Sequence, residues 1–329
     1  MHQRALRLTV GLFAALALLA AIGLSVLLGH HRASPSASGS APSRGGCMAI
    51  PHKCGFPDAT NTGLPAGMKL KTVPGQVSVG RGWSYSSSDH QVEVTGNGAV
   101  LSGLSIPCDV NITSSSVTIK DDRVVTGGPY DISMRHTTGV TIENSTIGGL
   151  NATAGRVNSA ISDLYGDSTG MVIKDNNISA FRSAVQISAG LVIGNYIHDP
   201  GYISGDHTNG VIANGGTEPL TIYHNTILND LSQTDAITID TLQIPGPVTN
   251  KVIEDNLLAG GAYPIYGGAA FGHTTSHILI ENNRFGQVFY PKSGQFGPVA
   301  YFDSTRAGNI WSGNTWISSG KLIPAPVQS

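Results

Sequence analysis

The chain has 329 residues and a formal net charge of −2 at pH 7, and only 12% of its residues are charged. An average globular domain carries about 25% charged residues and about 7% glycine, so this chain is poor in ionic side chains and, with 42 glycines, rich in turn formers. After residue 44 no Lys/Arg cluster occurs, which argues against nucleic acid as a partner. We therefore expect one large domain built from many tight turns.

The first 29 residues are predicted to be a signal peptide or a signal anchor. Arg4 and Arg7 precede an uncharged run of 21 residues, from Leu8 to Leu28, which is long enough to cross a bilayer. No Ala-x-Ala cleavage signal follows, so cleavage stays open. Residues 30–46 are a Ser/Ala/Pro/Gly-rich linker. Residues 47–329 are thus expected to be extracellular or at the cell surface, and to meet the membrane only through the N-terminal helix.

Cysteine usage fits export. Cys47 and Cys54 are close in sequence, and a small disulfide loop between them is predicted for an oxidising compartment. Cys108 would then be free and buried. The alternative, in which Cys108 pairs with one of the other two cysteines, stays open.

A short apolar phrase recurs along the chain, with its third positions 20 to 31 residues apart. This spacing is typical of a solenoid, and the content of Val and Ile indicates β-strands. The copies are Val117-Thr118-Ile119, Val140-Thr141-Ile142, Met171-Val172-Ile173, Leu191-Val192-Ile193, Leu220-Thr221-Ile222, Lys251-Val252-Ile253, Ile278-Leu279-Ile280 and Asn309-Ile310-Trp311.

An Asn follows most copies, three residues after the third position. In the copy that ends at Ile193 it comes one residue early, as Asn195, and Asp122 and Ser145 take its place in the first two copies. Stacked Asn residues can form a ladder of side-chain hydrogen bonds, and Asn tolerates the left-handed conformation of a sharp corner. We interpret the column as structural. Its members are Asn176, Asn195, Asn225, Asn256, Asn283 and Asn314.

A second strand repeats in another phase, with an aliphatic residue at its third position. That position is predicted to face the core, and the fourth and sixth positions to face outward. Two strands per coil and about seven or more coils define an all-β parallel β-helix. The copies begin at Tyr130, Ser159, Ser183, Asn209, Asp235, Tyr263 and Gly297.

Several segments carry a family resemblance, over roughly residues 55–320. The opening Phe56–Gly67, FPDATNTGLPAG, is the most specific, and the phrases at Val117–Lys120, His207–Gly210 and His224–Ile227 extend it. They resemble secreted right-handed parallel β-helix repeat proteins of actinobacteria, in the pectate-lyase-like superfamily. The resemblance implies a right-handed solenoid that binds or cleaves polysaccharide. The usual His-x-Asp-Gly phrase of that family has Asn209 at its Asp position here.

The function expected from this resemblance is cleavage of a polysaccharide or cell-wall glycan by a monomeric protein, with β-elimination favoured over hydrolysis. A lyase needs a base and a group that neutralises a uronate, often Ca²⁺, whereas a hydrolase needs two carboxyl groups flanking the bond. The sequence makes no cofactor certain, leaves Ca²⁺ open and assigns no metal ligands. A non-catalytic glycan-binding or structural surface protein is the alternative.

The candidate site lies where the Asn209 strand meets the preceding loop. Because adjacent coils stack about 4.8 Å apart, Asp235 should lie one coil from Asn209, with Asp206 and His207 on the same edge. Each of these residues also has a structural reading, as a turn or capping residue. The candidate catalytic residues are His207, Asp206, Asp235 and Asp240. The candidate substrate-binding residues are Asn209, Asn214, Tyr266, Gln186 and Arg135.

Overall fold

The computed structural model describes residues 44–239 and 246–326. They form an all-β parallel solenoid of about seven turns with three sheets of ten, eleven and nine strands, in which successive turns add strands to each sheet and further strands extend the sheets at the ends. The predicted signal segment and most of the linker lie outside these residues. In the described part of the chain, no helix is long and apolar enough to span a membrane.

The three sheets follow one another around each turn, in the chain order sheet 3, sheet 1, sheet 2. Sheet 1 comprises Lys71–Thr72, Leu104–Ile106, Arg123–Thr126, Thr146–Gly149, Asn177–Ser179, Tyr196–Ile197, Thr226–Asn229, Leu257–Gly260, Arg284–Phe285 and Thr315–Trp316. Sheet 2 comprises Val79–Gly80, Trp83–Ser86, Gln91–Val94, Asp109–Ile112, Tyr130–Met134, Val157–Asp163, Phe181–Gln186, Asn209–Ile212, Asp235–Thr238, Ile265–Tyr266 and Val299–Ala300. Sheet 3 comprises Val100–Ser102, Thr118–Lys120, Thr141–Glu143, Val172–Lys174, Gly190–Ile193, Leu220–Tyr223, Val248–Glu254, Thr275–Glu281 and Ile310–Ser312. Short 3₁₀ helices span Arg44–Met48, Pro51–Cys54 and Ala270–Gly272.

The predicted apolar columns form the core. In sheet 3 the third positions pair in register from turn to turn, and their side chains are buried. One copy was aligned wrongly from the sequence. Val192, and not Ile193, pairs with Ile173 and Ile222, so the normal spacing to Asn195 is kept and no residue is missing. Because side chains alternate along a strand, this one-residue shift exchanges the buried and the outward residue.

The second repeated strand is confirmed as part of sheet 2. Its aliphatic third positions are mutual register partners, for example Ile132 with Ile161 and Val211 with Ile237. The sixth positions lie past the ends of these strands, at the next corner, so the described ones do not share the outward direction that was predicted. Arg135 does contact the outer face, where it donates a hydrogen bond to Ser133 Oγ. Phe302, at the sixth position of the last copy, is 2% exposed and lies in the core.

The predicted Asn ladder is confirmed at the corner between sheets 3 and 1. Each Asn side chain accepts a hydrogen bond from the backbone N–H of the preceding rung; for example, Asn225 Oδ1 lies 2.9 Å from Asn195 N. Its Nδ2 donates to the next rung, 3.0 Å from Asn256 Oδ1. Asp122 and Ser145 continue the ladder, since Asp122 N donates to Ser145 Oγ at 3.1 Å.

The left-handed residue of this corner is the one before each rung, not the rung itself. Asp121, Asp175, His224 and Asp255 all have φ between 52° and 56°. The Asn therefore recurs because the ladder uses its side-chain amide, whereas the residue before it adopts the left-handed conformation of the sharp turn.

The N-terminal segment lies along the outer face of sheet 1. Leu64 N donates to Thr146 Oγ1 at 3.2 Å, and the ring of Phe56 stacks on His224 at 5.7 Å between centroids. A disulfide joins Cys47 and Cys54, whose Cα atoms are 5.5 Å apart. Cys108 is free and is half-buried rather than fully buried.

Candidate active site

Asp206, a candidate catalytic acid, is held in a buried ion pair with Arg156. Its two oxygens accept hydrogen bonds from Nε and Nη2 of that arginine, each at 2.6 Å. Neither side chain is more than 10% exposed, and Asp206 also accepts a hydrogen bond from the Ile203 N–H. This bidentate pair joins the loops at residues 150–156 and 198–208, which gives Asp206 a structural task.

Asp235 and Asn209 are register partners on adjacent turns, as the sequence predicted. However, both occupy the first position of the repeated strand, and alternation directs that position inward with the third. Asp235 is 1% exposed, its Oδ1 has no hydrogen-bond partner, and burial raises its pKa well above the ordinary value. A carboxyl group at this depth is out of reach of a polysaccharide on the surface.

The remaining candidates scatter over the solenoid. His207 is exposed, and its backbone carbonyl accepts a hydrogen bond from Asn209 Nδ2 at 3.1 Å. Asn214 is 7% exposed, at the corner that follows the strand Asn209–Ile212. Asp240 lies outside the described residues. Of the predicted catalytic residues that the structure describes, His207 is exposed whereas Asp206 and Asp235 are not, so these three do not meet at one accessible point.

Three of the candidate binding residues do lie on the outer face of sheet 2. Gln186 and Tyr266 are half-buried members of one outward column, and Arg135 donates from Nη1 to Ser133 Oγ in the same column at 3.2 Å. We give the name outer column to the outward residues of sheet 2 that are register partners from turn to turn. Successive turns contribute Glu93, Asn111, Ser133, Ser162, Gln186, Ile212, Thr238 and Tyr266.

A cavity of about 380 Å³ opens beside the first turns of sheet 2. It lies where Pro107-Cys108 and Gly127-Gly128 carry the chain from sheet 1 to sheet 2. Sequence analysis missed it, because it depends on short corners in two successive turns. Its lining residues are Pro74, Tyr85, His90, Pro107, Cys108, Asp109, Thr126, Gly127 and Gly128.

Asp109 is the carboxyl group that lines this cavity. It is half-buried, and burial raises its pKa above the ordinary value. Gly128 makes room for it, since a Cβ at that glycine would lie 2.9 Å from Asp109 Oδ1. A carboxyl group whose pKa is raised holds its proton to a higher pH than an ordinary one, which suits a general acid.

The next turn places a second, fully buried acid behind Asp109. Asp131 accepts a hydrogen bond from Thr126 N at 3.1 Å, and its Oδ2 has no partner. Burial raises the pKa of Asp131 well above its ordinary value, and the nearby charge of Asp109 adds to the rise. Burial thus favours the protonated form of Asp131, while the raised pKa of Asp109 comes from its own burial.

Glu93 provides an accessible carboxyl group on the adjacent strand. It is half-buried in the outer column, and its oxygens accept hydrogen bonds from Gln91 Nε2 and, at 2.7 Å, from Asn111 Nδ2. Asp109 pairs with Gln91, and Asn111 pairs with Glu93, so the two acids are diagonal neighbours. With strands about 4.8 Å apart and about 3.3 Å of rise per residue, their Cα atoms are separated by roughly 8 Å.

The other polar groups of the cavity offer no nucleophile. Burial, together with the charge of Asp109, raises the pKa of Cys108 to about 11, so its thiol remains protonated at neutral pH. Tyr85 Oη lies 3.3 Å from Nδ1 of the exposed His90. Among the described residues, no group of three or more His, Cys, Asp or Glu side chains is placed to hold a metal ion.

Comparison with known proteins identifies no relative. No protein-family model matches the chain, and no curated protein matches it. The parallel β-solenoid fold is therefore established by its own architecture, and the chemistry must be argued from the site.

Proposed function

We propose that this protein is an exported, glycan-cleaving enzyme that hydrolyses a glycosidic bond at the cavity of the first turns. The proposal rests on one observation: a carboxyl group whose pKa is raised by burial, Asp109, lies in an open cavity diagonally across from a second carboxyl group, Glu93. Glycoside hydrolases need a pair of carboxyl groups, which lie about 6.5–9.5 Å apart in inverting enzymes. The roughly 8 Å between the Cα atoms of Asp109 and Glu93 is compatible with such a spacing.

In the proposed step, Asp109 gives its proton to the oxygen of the leaving sugar while the bond from that oxygen to the anomeric carbon breaks. Glu93 accepts a proton from a water molecule, whose oxygen forms the new bond to the same carbon from the opposite side. Water is thereby added across one glycosidic bond, and neither redox chemistry nor a cofactor is involved.

The arrangement favours hydrolysis over the β-elimination that the family resemblance suggested. An elimination needs a base near a uronate whose charge is neutralised. The titratable groups that line the cavity are Tyr85, His90, Cys108 and Asp109, with the buried Asp131 behind them. None of the residues that line the cavity is a Lys or Arg that could neutralise a uronate, which disfavours elimination.

The test is incubation of the full-length protein, purified in mild detergent, with neutral and acidic polysaccharides, with and without Ca²⁺. New reducing ends without absorbance from unsaturated uronates are expected. Asp109→Asn and Glu93→Gln should each lower the rate at least a hundredfold, in line with the effect of general acid–base groups. Asp167→Asn, which changes an exposed carboxyl group on another corner, is the matched control and should be silent.

Two outcomes count against this proposal. Unsaturated products would replace hydrolysis with elimination. Release of reducing ends that is equally fast in the Asp109 and Glu93 variants would move the chemistry elsewhere. If no substrate is cleaved but a glycan is retained, the non-catalytic binding function predicted as the alternative takes its place.

Three further features belong to the same proposal. The disulfide between Cys47 and Cys54 supports an extracellular or cell-surface location, since such bonds persist in oxidising compartments. A right-handed winding follows the strong preference of parallel crossover connections. Kinship with the pectate-lyase-like superfamily, suggested by residues 56–67, would place the enzyme among proteins that act on polysaccharides.

A further inference from the structure

Four aromatic side chains cluster on the outer face of the last turns of sheet 2. The ring of Tyr266 stacks on Tyr301 at 5.6 Å between centroids and meets Tyr263 edge-on at 5.7 Å. Tyr263 in turn contacts Phe296 at 5.8 Å. Tyr301 is 55% exposed and Phe296 57% exposed, so the cluster presents ring faces to solvent. Exposed apolar patches of this kind mark binding sites.

The backbone of Tyr301, at the corner after the strand Val299–Ala300, holds its ring beside Tyr266. Its φ is 53°, in the left-handed region that bulky residues rarely adopt. The conformation is held by a hydrogen bond from Ala269 N to the Tyr301 carbonyl at 2.8 Å. Strain of this kind is found preferentially at ligand sites, where it fixes the direction of a side chain.

The chemistry of this region suits an uncharged sugar chain. The last four strands of sheet 2 contain no Lys or Arg, and their single acid, Asp235, is buried, which raises its pKa well above the usual range. Burial, with Asp235, Tyr301 and Tyr263 nearby, raises the pKa of Tyr266 to about 12, so its hydroxyl remains a hydrogen-bond donor. Aromatic faces can cover the apolar face of a sugar ring while phenolic hydroxyls meet its polar edge.

A continuous surface connects this cluster with the cavity. Tyr266 belongs to the outer column, whose intervening members Ser133, Ser162 and Thr238 point outward and are nevertheless only 2–7% exposed. These side chains are small and are covered by their neighbours, as Ser133 is by Arg135, so a ligand would run over the column without contacting them. Six strand spacings separate the Asp109 strand from the Tyr266 strand, or roughly 29 Å along the solenoid.

We infer that the enzyme acts on a long, linear, uncharged glycan, which lies along the outer column with one end of its bound segment on the Tyr263/Tyr266/Phe296/Tyr301 cluster and its cleaved bond at the cavity. The cleavage half rests on the proposed function, whereas the aromatic site is argued from its own geometry. The chain must be long because the two sites are about six turns apart, and uncharged because the last four strands of sheet 2 contain no Lys or Arg.

The test is affinity electrophoresis of the full-length protein in gels that contain one neutral polysaccharide (xylan, galactan, arabinan, laminarin or starch) or one acidic polysaccharide (polygalacturonate or alginate). Retention by a neutral polymer is expected. The double variant Tyr266→Ala/Tyr301→Ala should weaken it at least tenfold. Tyr165→Ala, which removes a tyrosine that is 60% exposed at another corner, is the control and should leave it unchanged. Thermal unfolding checks that the double variant is folded.

The outcomes separate this inference from the proposed function. If Asp109→Asn is retained in the gel as strongly as the wild type but no longer cleaves the glycan, both the aromatic site and the catalytic cavity are supported. Cleavage by wild type with retention that the tyrosine variants do not alter overturns the inference and leaves the proposed hydrolysis intact. Retention by acidic polymers only, or equal affinity for disaccharides and polymers, also overturns it. If the protein cleaves nothing but its retention depends on the tyrosines, the proposed hydrolysis is wrong and the aromatic binding site is supported.

Discussion

A single substitution at Asp122, one rung of the Asn ladder, is expected to raise the stability of the protein. Its Oδ1 accepts a hydrogen bond from Leu104 N at 2.7 Å, but its buried Oδ2 has no partner. Burial is the main reason why its pKa rises from 3.8 to about 7. The later rungs place an amide here, which is neutral at every pH and donates a hydrogen bond.

The pKa shift gives the sign and the size of the effect. Because the pKa of Asp122 is higher in the folded state, the folded protein binds this proton more tightly. The associated stability is complete below about pH 4 and is lost as the pH rises through about 7. A rise of about three units corresponds to about 4 kcal/mol at about 1.4 kcal/mol per unit. Asp122→Asn removes this loss.

The assay is equilibrium unfolding of the full-length protein in urea at about pH 4 and about pH 8. Between these values the wild type should lose about 4 kcal/mol more stability than Asp122→Asn. The reciprocal variant Asn176→Asp should acquire the same kind of pH dependence, and Asp167→Asn should not change it. Equal pH dependence in wild type and Asp122→Asn would refute the assignment of a buried, protonated carboxyl group to this rung.

The remaining predictions concern the ladder, the loops and the cavity. Asn225→Ala leaves a buried backbone N–H without a partner and should lower the free energy of unfolding by about 2–4 kcal/mol, measured in urea. Arg156→Met leaves Asp206 buried without its counter-charge and should cost about 3–5 kcal/mol in the same assay. Gly128→Ala pushes a methyl group against Asp109 and should reduce kcat/KM for glycan hydrolysis by about tenfold to a hundredfold with the fold intact.

Each of these changes has a control on the same molecule. Thr221→Ala alters a half-exposed residue on the same turn as the Asn225 rung, and Arg81→Met alters an exposed arginine; both should stay within about 0.5 kcal/mol of wild type. Gly75→Ala adds a methyl group to open space and should leave kcat/KM unchanged. Effects in these controls as large as in the test variants would mean that burial and contact do not explain the losses.

The fold was predictable because a solenoid repeats its constraints. Aliphatic third positions and a following Asn recur in nearly every turn, so one misaligned copy, at Ile193, did not alter the architecture. Single residues that break the pattern could not be read in this way. Lys251 occupies an apolar core position and is fully buried, yet its Nζ donates to the carbonyl oxygen of Ser188 at 3.0 Å and to that of Glu218. Nothing in the local sequence indicates these partners.

The site was less predictable, because corner geometry decides which polar residues reach solvent. Side chains alternate along a strand, so first positions face the core together with third positions. This rule alone would have removed Asp235 from the candidates. Asp206 could not be judged from sequence, since Arg156 is fifty residues away in the chain. The Asp109–Glu93 pair was missed because Glu93 precedes the first recognisable repeat, where no register could be assigned.

The ladder explains how such a site can vary while the fold stays fixed. Between sheets 3 and 1 the corner has the same short form in successive turns, so every turn enters sheet 1 in the same phase. Between sheets 1 and 2 the connection ranges from the single residue Ala180 to the whole segment 286–298. A one-residue slip in sheet 2 would invert every side chain of a strand, yet the outer column stays aligned across these loops. The phase is restored once per turn by the buried amides, which leaves loop length and outward side chains free to form a groove.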